Sequence, residues 1–449
     1  MKVEFIFAQM ATAVAIATLG LSSAVADALG ESITTPSEDS VLGVAVNACV
    51  SGGGNNRNAP DFQRDCDNLL VPILGEGEPN PDGVAAITAA AAGVPSSASL
   101  NNTQAVQAAI AGRLAALRQG ATGFNLNVAG RGFQRGGAAG DSDFSKLGGF
   151  LTGSLGRTNN DGSILEPGYD ANNWNLNAGL DYKLLEQLTV GGVLSYARTK
   201  PKFDGGQGDL DADSFSILAY GNYFFNDALY MDGVVGYGWN SYDQDRRIRY
   251  TAPPTEITEG ANVDQTARSS FDGGQALAAI GLGMELHSGG LTYGPIARLQ
   301  YVDLDVDGYS ESMSNPDQDG SGWAVRINDQ TYRSTTFSLG GNLSFSSSQS
   351  WGVLVPQANL TWIHEFENDT KVVPGFFIGE CAGSTGCGAE GSGAFFITTA
   401  EPDRDYFSLG LGTSAIFSGG SSAFIALDAL LGYKDLSSYR VTLGYRAEF

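Results

Sequence analysis

Histidine occurs only at His287 and His364, and that scarcity limits acid–base chemistry from the outset. His364 stands beside Glu365 and Glu367, a group that could polarise a water molecule at a strand end, but no second histidine or aspartate pair accompanies it. His287 falls in a Ser/Gly turn. Asp303, Asp305, Asp307 and Gly308 have the spacing that opens a calcium loop, yet Ser314 stands where the bidentate carboxylate belongs. Asp209, Asp211 and Asp213 read the same way, as an acidic strand end running into a loop. Gly140-Asp141-Ser142-Asp143 has the Gly-Asp-Ser of some serine esterases, but no apolar strand precedes it. These residues predict no enzyme, no metal site and no cofactor.

The four cysteines do suggest chemistry. Cys49 and Cys66 bracket one loop, Cys381 and Cys387 a shorter one, and neither pair has the Cys-x-x-Cys spacing or the neighbouring histidine of a metal site. They are disulfide candidates in an oxidising compartment, with local pairing preferred among three connectivities. The address agrees. Lys2, an apolar run from Met10 to Leu21, and Ala24-Val25-Ala26 form a secretory signal over residues 1–26, with Glu4 its one departure from pattern.

What must position the rest is a set of strands. From Ser438 to Phe449 the chain alternates: Tyr439, Val441, Leu443, Tyr445, Ala447 and Phe449 on one face, Ser438, Arg440, Thr442, Gly444, Arg446 and Glu448 on the other. One oily and one charged face suit a wall between lipid and a wet lumen. The same period recurs upstream, beginning at Leu147, and gives twelve strands. Connections alternate in length. Tight turns fall at Glu186, Asn226-Asp227, His287 to Gly290, Ser346 to Ser350 and Ser418 to Gly420, and long connections lie between them. Closure is required because an open sheet edge in lipid leaves unpaired backbone groups at several kcal/mol each. Beyond the leader, no stretch reaches the roughly 20 apolar residues of a spanning helix. Composition agrees: 61 glycines, 10% aromatic and only 16% charged residues. A net charge of −24 without basic stripes argues against nucleic acid, and the acidic stretches read as solvated loops.

Ahead of the strands, residues 27–100 form a short Cys-containing segment, and residues 101–143 a helix with a Gly-rich lead carrying Arg131 and Arg135. The helix is predicted from Asn102 to Gln119, capped by Asn101, Asn102 or Thr103, with Val106, Ile110, Leu114 and Leu117 as its apolar stripe. Arg113 and Arg118 flank that stripe, suited to a lumen lined by Asn and Asp such as Asn175, Asn177 and Asp181. The helix lies inside or just below the pore, or the whole segment is a periplasmic hairpin clipped by Cys49 and Cys66; both readings stay open.

Residues 144–449 resemble the translocator of the autotransporter (type V secretion) family. The matching stretches are Gly179-Leu180-Asp181-Tyr182, Gly191 to Tyr196, Leu218 to Phe224, Leu229 to Gly233, and the ending Tyr439 to Tyr445 with Phe449. The run from Ile110 to Arg118 is similar to the Arg/Leu helix that precedes such barrels. The resemblance implies an all-β membrane protein: a twelve-stranded antiparallel transmembrane barrel in the bacterial outer membrane of a Gram-negative cell, with a short helical N-terminal segment and loops at the cell surface. It also implies periplasmic chaperones and the outer-membrane assembly machinery as partners, with Phe449, Tyr445 and Leu443 as the assembly signal. The function implied is translocator or surface anchor for a short N-terminal segment, as a monomeric barrel in outer-membrane lipid. The segment lacks the repeats of a typical β-solenoid passenger, so the alternative is a passive pore or surface adhesin without secretion activity.

Overall fold

The computed structural model describes residues 41, 43–45, 61–66, 68, 86–88, 90–118, 125–128, 131–134, 147–163, 165–254, 259–379, 394–417 and 421–446. Twelve long strands form one antiparallel ring: β1 (Leu147–Asn160), β2 (Tyr169–Leu185), β3 (Leu188–Phe203), β4 (Gly208–Phe224), β5 (Leu229–Ala252), β6 (Ala261–Met284), β7 (Leu291–Val306), β8 (Gln330–Phe345), β9 (Gly352–Glu365), β10 (Asp405–Phe417), β11 (Ser422–Leu431) and β12 (Leu436–Arg446). β12 closes the ring on β1, with Leu443 opposite Gly153 and Tyr445 opposite Leu151. Every one of these strands is among those expected from the alternation.

The outer surface is what water would normally forbid. Leu151, Leu180, Leu194, Val235, Leu282, Leu411 and Leu443 are all about half exposed, a continuous apolar band round the ring. Trp174, Tyr196, Phe215, Trp239, Tyr301, Phe407 and Tyr439 border it at the long-loop end; Phe225, Tyr293, Phe345, Trp351, Phe417 and Tyr445 border it at the tight-turn end. These are the two interfacial girdles of a membrane barrel. No described helix is long and apolar enough to span. Leu411 sits mid-band, between Ala358 and Leu427. Leu411→Arg is expected to destabilise the barrel in vesicles by about 2–4 kcal/mol, whereas Ala426→Arg, facing the lumen, costs a fraction of that in the same denaturant titration.

The long connections differ from expectation in one respect. β5 and β6 run 24 residues each, far beyond the girdle, and residues 204–207 are all that join β3 to β4. The acidic stretches around Asp209 and Asp303 are therefore largely strand. Above Trp239 the alternation reverses its sense: Asp243, Arg247 and Arg249 face out, while Tyr242, Ile248 and Tyr250 are buried facing in. Water replaces lipid outside at that level, and an apolar core replaces the wet lumen inside.

That core belongs to a lobe above the barrel. Strands Tyr309–Ser310, Val325–Ile327, Val372–Phe377 and Phe395–Thr398, drawn from the β7–β8 and β9–β10 connections, pair into a four-stranded sheet. Residues of the N-terminal segment, among them Val41, Phe62, Cys66, Ile87 and Val94, share one buried cluster with Trp323, Phe377 and Phe395 of the lobe.

Candidate functional site: the occupied lumen and its surface lobe

A helix over Val94–Arg118, led by a 3₁₀ turn at Ala90–Gly93, passes through the ring. It begins eight residues before the expected start. Pro95 is tolerated there because the first turn needs no N–H from it, and the polar residues read as caps do other work. Asn102 Oδ1 accepts from Thr199 Oγ1 at 2.8 Å, and Thr103 Oγ1 accepts from Gln275 Nε2 at 2.6 Å, both on the barrel wall. Ser99 meets the Tyr242 hydroxyl at 2.5 Å. Of the expected apolar stripe, Val106, Ile110 and Leu114 are buried against Phe150, Val193, Leu218, Val234 and Leu277, and the side chain of Leu117 lies outside the described residues. The helix itself therefore lies in the pore, as the first of the two readings has it.

At the tight-turn end of the helix, Arg113 meets Asp181 of β2 side-on. Nε and Nη2 each donate to one carboxylate oxygen at 2.6 Å, with both side chains 3% exposed. Tyr220 donates to the same carboxylate at 2.9 Å, and the guanidinium lies 5.7 Å from the centre of the Phe150 ring. The pair is desolvated, so it holds the helix in one register and not merely near the wall.

At the other end the lobe holds the segment that precedes the helix. Arg246 of β5 forms a buried bidentate pair with Glu311 at 2.8 and 2.6 Å, and its remaining donors reach the carbonyls of Ala86 and Trp323, each at 3.0 Å. Residues 61–66 are helical. There Phe62 packs against Trp323 and Phe377, with ring centres 5.6 and 5.7 Å away. Asp65 accepts the backbone N–H groups of Gly320 and Gly322 at 2.7 Å each. Tyr250 accepts from Trp323 Nε1 at 2.8 Å. None of these residues was singled out in the sequence; the one available signal was Arg246, a cation at an inward position of a strand.

Burial raises the Asp65 carboxyl to about 6, the two N–H groups and Arg64 only partly offsetting it, and burial raises Glu166, in the β1–β2 connection, to about 7. Both folded values lie above the ordinary unfolded ones near 4. Between about pH 4 and 6 the folded Asp65 still holds a proton that the unfolded chain has lost, so its contribution to lobe stability falls as pH rises through that window, and the contribution of Glu166 goes on falling to about pH 7. The expected loss is about 3 kcal/mol for Asp65. Thermal melts of the lobe followed by Trp323 emission should show it, and Asp65→Asn should flatten the slope between pH 4 and 6.

The other singled-out residues are placed as follows. His364 and Glu365 point to opposite faces of β9: His364 Nδ1 meets Asp405 at 2.8 Å on the outer surface, while Glu365 accepts from Ser334 and from the Thr335 N–H on the inside. Asp303 pairs with Arg333 and Asp305 accepts from Thr331, while Asp211 pairs with Arg198 and Lys200. His287 lies exposed in the short strand Leu286–Ser288. Among the described residues no group of three His, Cys, Asp or Glu is placed to hold a metal. Cys66 is disulfide-bonded and buried. Cys49, Cys381, Cys387, Phe449, Gly140 to Asp143 and the side chains of Arg118, Arg131 and Arg135 lie outside the described residues. Leu443 and Tyr445 face lipid on β12.

No curated protein matches the sequence. Among solved structures, the translocator domain of the autotransporter NalP from Neisseria meningitidis is similar, at 15% identity over 77% of this chain and 97% of that one, with a TM-score of 0.52, and it shares the fold. The β domain of the Bordetella autotransporter BrkA (17% identity, 68% and 100% covered, TM-score 0.45) and the transport unit of the autotransporter AIDA-I from Escherichia coli (14%, 71% and 94%, 0.42) also match. Residues 149–428 match the family described as the autotransporter beta-domain. With that match spanning most of a closed, lipid-girdled ring, the chain belongs to the autotransporter β-domain family and is a bacterial outer-membrane barrel.

Proposed function

We propose that this barrel carries its own N-terminal segment outward and retains it, serving as the anchor of a surface lobe instead of releasing a passenger. One observation carries the reading. The chain enters the lumen from the lobe, where Arg246 grips the backbone at Ala86, and leaves at the tight-turn end, where Arg113 meets Asp181. A leader over residues 1–26, removed in the periplasm, a carried segment over 27–100, a helix and lead over 101–143 and a barrel from residue 144 fit that path. The same reading takes Cys49 to pair with Cys66 and Cys381 with Cys387, each pair being close in sequence.

A tag placed after Ala26 tests this. Surface antibody should reach it on intact cells, and purified protein should keep the mass of residues 27–449; labelling only after permeabilisation would sink the proposal. The closed ring with an apolar girdle on every side supports a monomer in outer-membrane lipid. Insertion by the assembly machinery, after escort by periplasmic chaperones, is read from the outward-facing Leu443 and Tyr445 and the terminal Phe449. Deleting Phe449 is expected to lower the membrane-inserted fraction several-fold without changing synthesis, as measured by heat-modifiable mobility on gels.

A further inference from the structure

The helix is seated against one side of the ring, packing on Phe150 of β1, Val193 of β3, Leu218 of β4, Leu277 of β6 and Val302 of β7. Between its other side and β8 to β12 a cavity of about 770 Å³ is left. Its mouth lies among the surface connections, where the lining residues Glu401, Arg404 and Lys434 are exposed. It does not lead through the barrel. Toward the tight-turn end the inward side chains of Ser344, Val353, Val355 and Thr442 are buried, and nearer the loops Tyr332 of β8 hydrogen-bonds Ser96 of the helix. What remains is a blind recess that opens at the cell-surface end.

Deep in it stand two opposite charges. Asp428 of β11 and Arg440 of β12 are direct register partners and both line the recess, half-buried. Opposite charges so placed across two strands ordinarily close on each other. Here, among the described residues, neither makes a hydrogen bond or a contact ion pair. The next strands bring no charge to them either, because the same tier holds Gly410 beside Asp428 and Gly156 beside Arg440. Only the amides of Asn359 and Asn173 lean over those two glycines, where a Cβ would come within 2.3 and 2.0 Å of them. A guanidinium with all its donors free and a carboxylate with its lone pairs free thus sit side by side.

We propose that this recess binds a small zwitterion of the α-amino acid class, its carboxylate on Arg440 and its ammonium on Asp428. A plain anion drawn to Arg440 would be repelled by Asp428, and a plain cation drawn to Asp428 would be repelled by Arg440. An α-amino acid carries both charges on one carbon. It can therefore satisfy two side chains that spring from directly opposed residues, and the planar guanidinium suits a carboxylate. Hydroxyls and amides make up much of the remaining lining, among them Ser338, Ser408 and the exposed Gln104 of the helix, which favours a small polar side chain on the ligand. This binding is a function separate from anchoring the lobe and does not depend on it.

Three probes test it on the full-length mature protein in detergent, by titration calorimetry. L-Serine carries both charges, ethanolamine is serine without its carboxylate, and 3-hydroxypropionate is serine without its ammonium. Serine should bind saturably, and each single-charge probe about tenfold or more weakly, the loss of one charge-assisted contact. Arg440→Gln should reverse the order of serine and ethanolamine, and Asp428→Asn that of serine and 3-hydroxypropionate, with heat-modifiable mobility showing that both variants stay folded. A merely structural pair would weaken all three probes together. No saturable binding of serine, serine no tighter than the two single-charge probes, or variants that keep the wild-type order overturns the proposal. The comparison of probes on the unaltered protein decides it even if a variant fails to fold.

Discussion

Replacing Arg113 by alanine is expected to weaken the seat of the helix by about 3–5 kcal/mol while leaving the barrel intact. Asp181 would remain buried with one hydroxyl donor, Tyr220, in place of two guanidinium donors, and an uncompensated buried carboxylate is the most costly product of such a deletion. The strand ladder does not depend on the pair, so heat-modifiable mobility should stay that of a folded barrel. Hydrogen exchange of helix amides between Val106 and Leu114 should rise steeply. Arg113→Lys keeps the charge but not the two-pronged contact, and should lie between the two. Gly148→Ala offers a second probe, because a Cβ there would come within 2.6 Å of Asp181 Oδ1 and 2.7 Å of Arg113 Nη2. It should loosen the pair by about 1–3 kcal/mol through crowding alone.

That contact was half visible in the sequence. Arg113 stands on the flank of the helical stripe and Asp181 at an inward position of β2, so both residues were assigned to the lumen, but two periodicities cannot state which cation meets which anion. The barrel was legible for a simple reason: lipid outside and water inside force a strict alternation, and all twelve strands obey it. The helix start was not, because Asn102 and Thr103 are good capping residues whose side chains are instead satisfied by Thr199 and Gln275, partners distant in sequence. The lobe was least legible. Above Trp239 the same strands exchange their polar and apolar faces, so Asp209 to Asp213 and Asp303 to Asp305 look like solvated loop when their aspartates are the outer face of strands whose inner face holds Leu210, Ala212, Leu304 and Val306 in a core. A pattern that reverses phase within one strand is easily mistaken for its end.

Arg246→Ala should detach the N-terminal segment from the lobe, at a cost of about 3–5 kcal/mol. The loss has two parts. Glu311 would be left buried with only the Val325 N–H as a donor, and the carbonyls of Ala86, Ile87 and Trp323 would lose the guanidinium that they share. The double change Arg246→Met with Glu311→Leu tells these apart. Replacing a buried ion pair by apolar groups of similar size is often neutral, so if the pair were all that mattered the double variant would regain wild-type stability. It should instead stay about 1–3 kcal/mol short, because buried carbonyls without donors remain. Trp323 reports the outcome: it is fully buried in the lobe, whereas Trp174, Trp239 and Trp351 lie exposed on the girdles and the half-buried Trp362 faces outward beside Phe407, so brominated lipid quenches those four and spares it. A red shift of the spared emission at lower denaturant in Arg246→Ala, with an unchanged barrel transition, is the expected result. An unshifted lobe transition would mean that the aromatic packing of Phe62 on Trp323 and Phe377 suffices to hold the segment by itself.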